Sequence, residues 1–271
     1  MHASRRANGF ELAGGTLVPA GATLTVLLAL TLALGLLGRG WQDVWFVITA
    51  PSPQGVGAAL HGSLVILAMA LPLVTVIGFF AAASIWDARI GGSPTGLLLA
   101  WLPWASGVPP VIVGCAIYFS LVLLGLPFSL PSAACALIIL NAPNAALRML
   151  RILRQTPSEL ADAATAAGAG PVFVLLRVSL PRAAREILGS VCQSAAEIVG
   201  QTAVVILAVG TMTAGAPLPA QIWHFAGNRS LLAVASAQCI VLLALVLGFA
   251  ILADVLVGRS RRRHTDRGMQ A

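Results

Sequence analysis

The sequence predicts an all-α integral membrane protein with six transmembrane helices and one short helix on the cytoplasmic side. Apolar residues make up 58% of the 271-residue chain, charged residues only 9%, and the mean hydropathy is +0.93, which excludes a soluble domain. Six apolar runs are long enough to cross a bilayer, which takes about 20 helical residues. The sixteen basic side chains are all Arg and lie at the ends of these runs, where basic residues fix the topology.

The six spans follow a short polar leader and differ in their interruptions. The first is longer than the core of a signal peptide, and no cleavage site follows it, so we expect it to be retained. The third contains Pro103, Pro109 and Pro110, which break a helix. The spans are predicted at about 17–37, 59–83, 97–124, 132–147, 187–209 and 231–257.

The distribution of Arg predicts the orientation of the chain. With the N-terminus inside the cell, fourteen Arg fall in inner segments and two, Arg39 and Arg229, fall outside. Inner loops of membrane proteins are enriched in basic residues. Both termini are therefore predicted to be cytoplasmic, and so is the Arg-rich loop between the fourth and fifth spans.

That loop carries the signals of a short, well-delimited helix. Thr156 is a favourable N-cap, Pro157 suits the first helical position, and Glu159 completes a capping box. An Ala-rich run follows, and Gly168 can end the helix. The result is a slim helix of about three turns that can dock into a groove on another protein.

The spacing within this loop resembles a family signature. Permeases of binding-protein-dependent ATP-binding-cassette (ABC) importers carry a cytoplasmic loop reading E-A-A, three residues, G, nine residues, I, one residue, L-P. Every interval matches here, with Asp in place of Glu and Val in place of Ile. The matching residues are Asp162, Ala163, Ala164, Gly168, Val178, Leu180 and Pro181.

Further stretches are similar to phosphate-importer permeases, especially those of the PstA type. The matches cover the third span, the lead-in to the short helix, the fifth span and the last outer loop. They are Gly107–Gly114, Arg154–Leu160, Gly200–Ala203 and Leu218–Ile222. The resemblance implies a MetI-like permease domain over residues 58–257. A leader with the first span and outer loop (1–57) precedes it, and a basic cytoplasmic tail (258–271) follows it.

The resemblance also implies a function and a set of partners. The chain is expected to be a multi-pass permease subunit in the bacterial cytoplasmic membrane that imports phosphate. Its expected partners are two cytoplasmic ATPase subunits, a second and related permease, an extracytoplasmic solute-binding protein and membrane lipid. The absence of Lys rules out a P-loop in this chain, so ATP hydrolysis is assigned to the partner, and no enzyme activity, cofactor, metal or nucleic acid is expected.

Two other readings stay open. One is a permease of the same fold for another oxyanion or a small solute. The other is an ion-coupled carrier or an intramembrane enzyme. The carrier would not need the signature loop, and the sequence shows no nucleophile–base or metal-ligand arrangement for an enzyme.

The fifth span carries the strongest candidate for the solute pathway. Gln193, Glu197 and Gln201 recur every four residues and so share one helix face, with Ser190 and Ser194 beside it. An acidic residue at the centre of a span costs about 2.5–3.5 kcal/mol, so it is expected to face a partner helix or an aqueous path. We predict a pathway lined by Gln193, Glu197, Gln201 and Thr202.

The role of Glu197 has alternatives. As a neutral acid it would donate a hydrogen bond to a passing oxyanion; as a charged group it would pair with an Arg of the second permease. A purely structural hydrogen-bonding role is the third possibility. The phosphate importers have R-A-x-G-E-T here, and aligned on Gly200 this chain has Glu197 and Gln201 at the Arg and Glu positions, so that pair is not carried over.

In the fourth span, Asn141 and Asn144 flank Pro143 and raise the same question of a pathway or a structural role. We expect them to serve helix packing and to relieve the proline kink.

Overall fold

A computed structural model describes residues 56–91, 96–155, 158–210, 215–228 and 231–268, and the regular structure in these ranges is helical. The predicted first span, at 17–37, lies outside the described residues, as do Thr156 and Pro157 of the predicted capping box. The helices, in chain order, are α1 (Val56–Gly91), α2 (Gly96–Ser106), α3 (Pro110–Leu124), α4 (Leu130–Arg154), α5 (Ser158–Ala166), α6 (Pro171–Gly200), α7 (Thr202–Val209), α8 (Leu218–Ala226) and α9 (Leu232–Gly268).

Three of these helices, α1, α4 and α9, are long and apolar enough to cross a membrane individually. Two bent pairs, α2 with α3 and α6 with α7, meet the length and hydropathy requirements for a span together, which gives up to five spans among the described residues. The α2–α3 pair is bent by 87°. Pro109 and Pro110 lie at this bend and lack the N–H groups that would continue the helix, so the predicted third span is two helices.

Helix α4 extends further than the predicted fourth span, which ended at residue 147. It begins after Ser129, whose Oγ accepts a hydrogen bond from the backbone N–H of Ser132 at 3.4 Å, and it continues to Arg154. Arg148, which the sequence analysis assigned to the cytoplasmic loop, therefore lies within the helix. That boundary was wrong because a charged side chain ends an apolar run but does not end a helix.

The helix that carries the predicted fifth span, 187–209, begins earlier than that span and is not continuous. Helix α6 begins at Pro171, so Leu180 and Pro181 lie inside it and not in a loop. A π-helical segment, Val174–Ser179, precedes them. Pro181 has no N–H to donate to the carbonyl four residues back, and the wider turn instead bonds the N–H of Leu180 to the carbonyl of Leu175.

The fifth span also breaks at Gln201, where α6 and α7 meet at 55°. Gln201 has φ −77° and ψ 81°, which is not helical, and it follows Gly200, a residue of low helix propensity. A single helical stripe therefore cannot continue through this position.

The predicted outer loop, 211–230, contains a helix, α8, that the sequence analysis did not identify. Its N-terminal residues are buried, and the backbone N–H of Leu218 donates to Ser63 Oγ of α1 at 2.9 Å. Gln238 Nε2 of α9 donates a hydrogen bond to Gln221 Oε1 at 2.9 Å, and both side chains are buried. Two hydrogen bonds thus connect α8 to helices on both sides of it.

Helix α4 lies at the centre of the bundle. Half of its most apolar 18-residue stretch is buried, compared with 6% of the corresponding stretch of α9. It packs most extensively against α1, and α6 packs most extensively against α9. The contact of α1 with α4 requires a small residue: a Cβ added to Gly78 would lie 2.9 Å from the Cβ of Ala145. Many of the buried positions between these helices are Ala, which lets the backbones approach closely.

Candidate functional site

An ion pair connects the centre of the bundle to the fifth span. Arg148 Nη1 lies 2.6 Å from Glu197 Oε1, and Arg148 Nη2 donates a hydrogen bond to Ser194 Oγ at 2.8 Å. The guanidinium belongs to α4, whereas Ser194 and Glu197 are three residues apart and so share one face of α6. One Arg side chain therefore holds two positions of the neighbouring helix.

The ion pair is largely shielded from solvent. The side chains of Arg148 and Glu197 are 16% and 29% exposed, and Ser194 is buried. Charges in such surroundings interact more strongly than on a surface, but they are costly when they lose their partner. The pair is therefore expected to fix how α4 and α6 sit against each other.

Several polar atoms of this cluster have spare bonding capacity. Within the described part of the chain, Glu197 Oε2, Arg148 Nε and Ser190 Oγ are buried and have no hydrogen-bond partner. Ser190 is one turn before Ser194 on α6. Buried polar atoms are usually paired, so unsatisfied ones at a site are available to water or to a ligand.

The structure brings together only part of the predicted pathway. Glu197 joins the ion pair, and Gln193, one turn away, is exposed and lines a cavity beside Arg148. Gln201 lies at the break between α6 and α7, and Thr202 is exposed and donates its hydroxyl hydrogen to the carbonyl of Gly200 at 3.4 Å. The predicted stripe of Gln193, Glu197 and Gln201 is therefore interrupted after Glu197, because the helix that would carry it ends.

The two Asn side chains of α4 bond to their own helix. Asn141 Nδ2 donates to the carbonyl of Leu137 at 2.8 Å, and Asn144 Nδ2 donates to that of Leu140 at 3.3 Å. Pro143 frees the carbonyl four residues before it, at Ile139, and neither amide bonds to that group. The side chains thus bond locally and give no direct support to the predicted relief of the proline kink, while the helix-packing role stays a prediction.

The C-terminal end of the short helix α5 has the geometry that the sequence predicts. Gly168 has a φ of +86°, its N–H bonds to the carbonyl of Thr165 at 2.9 Å, and the N–H of Ala169 bonds to that of Ala164 at 3.0 Å. These are the bonds of a helix end closed by a left-handed glycine. The Gly168 prediction is confirmed as backbone geometry.

Helix α5 has two faces. Ala161 and Ala164 pack on a buried cluster that includes Leu153 of α4 and Val174 of α6. The opposite face is exposed and carries the family-like acidic positions and the following Ala, namely Glu159, Asp162 and Ala163. A slim helix seated on two spans with an open acidic face is suited to transmit a contact from outside to those spans.

Arg148 is the residue of this site that the sequence analysis missed. It follows Asn144 by four residues and Asn141 by seven, so the three form one polar face on a helix. That spacing was the available signal. It was masked because Arg148 also begins an Arg-rich stretch, Arg148–Arg154, that fits a cytoplasmic loop.

Comparison with known proteins identifies relatives of the whole described bundle. Residues 63–264 match the family described as binding-protein-dependent transport system inner membrane component. The chain is 28% identical over 194 residues to the phosphate transport system permease protein PstA of Mycobacterium leprae, covering 69% of this chain and 63% of that protein. It is 27% identical over 185 residues to PstA 1 of Mycobacterium tuberculosis, covering 64% and 60%. The chain thus spans less than two thirds of the length of these relatives.

Solved structures show the same fold at lower identity. One is an inward-facing methionine ABC transporter, MetNI, with a TM-score of 0.62 and 21% identity, covering 73% of this chain and 93% of that chain. Another is a bacterial ABC transporter involved in the import of alginate, with a TM-score of 0.64 and 16% identity, covering 97% and 99%. The matched family covers well over half of the sequence, and the chain belongs to the binding-protein-dependent transport system inner membrane components.

Proposed function

We propose that the chain is the permease subunit of an ABC importer and that it couples ATP hydrolysis by partner subunits to solute movement. The observation that carries this proposal is the position of α5. Its exposed face is available to a soluble partner, while its Ala face packs on a cluster from α1, α2, α4 and α6. That cluster includes residues of α4 and α6, the two helices joined by the Arg148–Glu197 pair. A push on α5 would therefore act on the helices that carry the charged site.

The proposed assembly has four kinds of chain. Two cytoplasmic ATPase subunits would dock on α5 and its counterpart, a second and related permease would complete the pathway, and an extracytoplasmic binding protein would deliver the solute. In this arrangement the described helices form the permease domain of residues 58–257, a first span at 17–37 brings the number of spans to six, and both termini are cytoplasmic. ATP hydrolysis belongs to the ATPases, so this chain is not itself an enzyme.

The proposed mechanism follows the contacts from α5 inward. Closure of the ATPases would move α5, whose end is fixed by Gly168, against Leu153 and Val174. The π-helical segment Val174–Ser179 lies between α5 and the part of α6 that bears Glu197, and π segments are points where a helix can change its register. Movement of α6 past α4 would then switch the spans between outward- and inward-facing states.

The proposed solute is inorganic phosphate. This rests on the 27–28% identity to PstA proteins and on the phosphate-importer-like stretches of the sequence. The fold does not set the solute, since the solved relatives are described as methionine and alginate transporters. We assign Gln193, Glu197, Gln201 and Thr202 to the pathway, with Arg148 as the group that neutralises Glu197. Another oxyanion or a small solute is the alternative within the same fold.

Two measurements test the proposal. The tagged chain, expressed with its cognate ATPase, partner permease and binding protein, is purified to ask whether the ATPase co-purifies. Cells carrying these components are then assayed for uptake of labelled phosphate and of labelled sulfate. We expect co-purification and phosphate uptake that competing sulfate does not reduce.

Gly168→Asp supplies the decisive variant. At φ +86° an Asp is strained, and its carboxylate would project near the ATPase-docking face, so the protein should insert normally but lose coupling of ATPase activity to uptake. Gly170→Asp is the matched control, since Gly170 has a φ of −71° and open space around its Cβ position. Normal coupling in Gly168→Asp would refute the docking role of α5. Sulfate uptake without phosphate uptake would refute the assignment of phosphate as the solute but would still support the permease function.

A further inference from the structure

A polar cavity lies beside the ion pair, between α4, α6 and α9, and extends beyond Gln193, which we assign to the solute pathway. Its volume is about 410 Å³, which is within the range of small-molecule sites. It is built from the C-terminal end of α4, the middle of α6 and the C-terminal half of α9. The polar residues that line it are Arg148, Arg151, Gln155, Glu186, Ser190, Gln193 and Asp254.

The floor of the cavity holds an unsatisfied donor. Ser190 is 4% exposed, lines the cavity, and its Oγ has no hydrogen-bond partner in the described part of the chain. A hydroxyl buried this deeply normally has a partner. It is therefore available to donate a hydrogen bond to water or to a polar group of a ligand.

The rim of the cavity carries charges of both signs. Arg151 of α4 and Asp254 of α9 are exposed there, and neither takes part in an ion pair among the described residues. Arg148 is neutralised by Glu197, and Glu186 already has an interaction of its own. An anion alone would be attracted by Arg151 but repelled by two carboxylates, and a cation alone would be repelled by Arg151.

We propose that this cavity binds a zwitterion that carries an oxyanion and a primary ammonium group. The oxyanion would accept hydrogen bonds from Arg151 and from Ser190 Oγ, and the ammonium would donate to Asp254. The phosphoethanolamine headgroup of a phospholipid has this chemistry, and so does a free zwitterionic solute of similar size.

The surroundings of the rim suit a lipid. Ile251 lies one turn before Asp254 on the same side of α9 and is 60% exposed, and Leu188, next to the cavity-lining Gly189, is 58% exposed. Acyl chains attached to a headgroup in the cavity could cover both side chains.

The test uses the full-length chain in lipid nanodiscs and counts retained lipids by native mass spectrometry. We expect phosphatidylethanolamine to be retained about fivefold or more over phosphatidylcholine, whose quaternary ammonium cannot donate a hydrogen bond, and over anionic phosphatidylglycerol. Asp254→Asn should reduce this preference about fivefold, because Asp254 binds the ammonium group. Arg151→Gln and Ser190→Ala should instead reduce retention of all three lipids, because all three carry the phosphate. Arg182→Gln is the control, because Arg182 is exposed on α6 and does not line the cavity.

A second arm separates the two sources of the zwitterion. The chain in phosphatidylcholine nanodiscs is titrated with soluble glycerophosphoethanolamine, with glycerol phosphate and with ethanolamine in a calorimeter. Binding of glycerophosphoethanolamine without retention of the lipid would identify a free zwitterion as the ligand. Equal binding of glycerol phosphate, or lipid retention that is the same in Asp254→Asn, Arg151→Gln and the parent, would overturn the proposal, as would no binding in either arm.

Discussion

The short helix α5 and the Arg148–Glu197 pair both involve α4 and α6, but they differ in the sequence separation of the residues that form them. Helix α5 is closed by contacts between residues at most five apart, such as the bond from the N–H of Ala169 to the carbonyl of Ala164. The ion pair joins residues 49 apart in sequence on two different helices. The first depends on local backbone preferences and the second on how two helices pack.

This difference has an energetic consequence. A change at the end of α5 alters one turn that is exposed, so the bundle can tolerate it while the docking surface changes. A change in the ion pair leaves a charge in the interior, and the whole α4–α6 contact must absorb the cost. Mutations at the two sites are therefore expected to separate function from stability, as the following variants test.

Arg148→Leu should have the largest effect on stability. It leaves Glu197 shielded and unpaired and also removes the donor to Ser194, so we expect a loss of about 3 kcal/mol in the free energy of unfolding, the low end for a buried pair because Glu197 is 29% exposed. Denaturation of the purified protein in detergent measures this. The double variant Arg148→Leu/Glu197→Leu should recover most of the loss, and if it does not, the effect is due to packing and not to charge.

Gln238→Leu tests a second contact between distant segments. It leaves Gln221 Oε1 without its partner in a buried position, which should cost about 2 kcal/mol and loosen α8. Limited proteolysis near residues 215–228 reports the loosening. Replacing both Gln by Leu should be closer to the parent than either single change, and an unchanged proteolysis pattern in Gln238→Leu would show that the pair does not hold α8.

Glu197→Gln should be milder than Arg148→Leu. The amide oxygen of Gln can still accept a hydrogen bond from Arg148, so the expected loss is about 1–2 kcal/mol. Glu197→Leu removes the acceptor and leaves the Arg148 charge unpaired, so it should cost about as much as Arg148→Leu. Complex yield and phosphate uptake are measured for both variants. If both behave like the parent, the ion pair contributes neither to the packing of α4 on α6 nor to the pathway.

Gly168→Ala should have the smallest effect on stability. A Cβ meets open space at this position, but a φ of +86° is unfavourable for Ala by about 1 kcal/mol. The melting temperature should fall only slightly, whereas coupling of ATPase activity to uptake should be clearly reduced. Gly170→Ala, at a φ of −71°, should leave both unchanged, and an equal loss in the two variants would show that the backbone conformation of Gly168 is not the cause.

Much of the fold could be predicted because the apolar runs are long and the helix-end signals are local. The left-handed Gly168, the end of α3 at Gly125 and the proline break before α3 all follow from backbone chemistry within a few residues. The errors occurred where a local signal had two meanings. Arg148 fits a cytoplasmic loop as well as a polar helix face, and Gly200 is tolerated in some helices and ends α6 here.

The sequence by itself determined that the chain is a helical membrane protein, where most of its apolar segments lie, and which short helix carries the family-like signature. It could do so because hydropathy, capping and glycine conformation act over one helical turn or one span. Only the tertiary structure decided that Glu197 pairs with Arg148, that the polar stripe stops at Gln201, and that Ser190, Arg151 and Asp254 face one cavity. These depend on the relative rotation and depth of separate helices, which are set by the packing of many small side chains at once and leave no periodic trace along the chain.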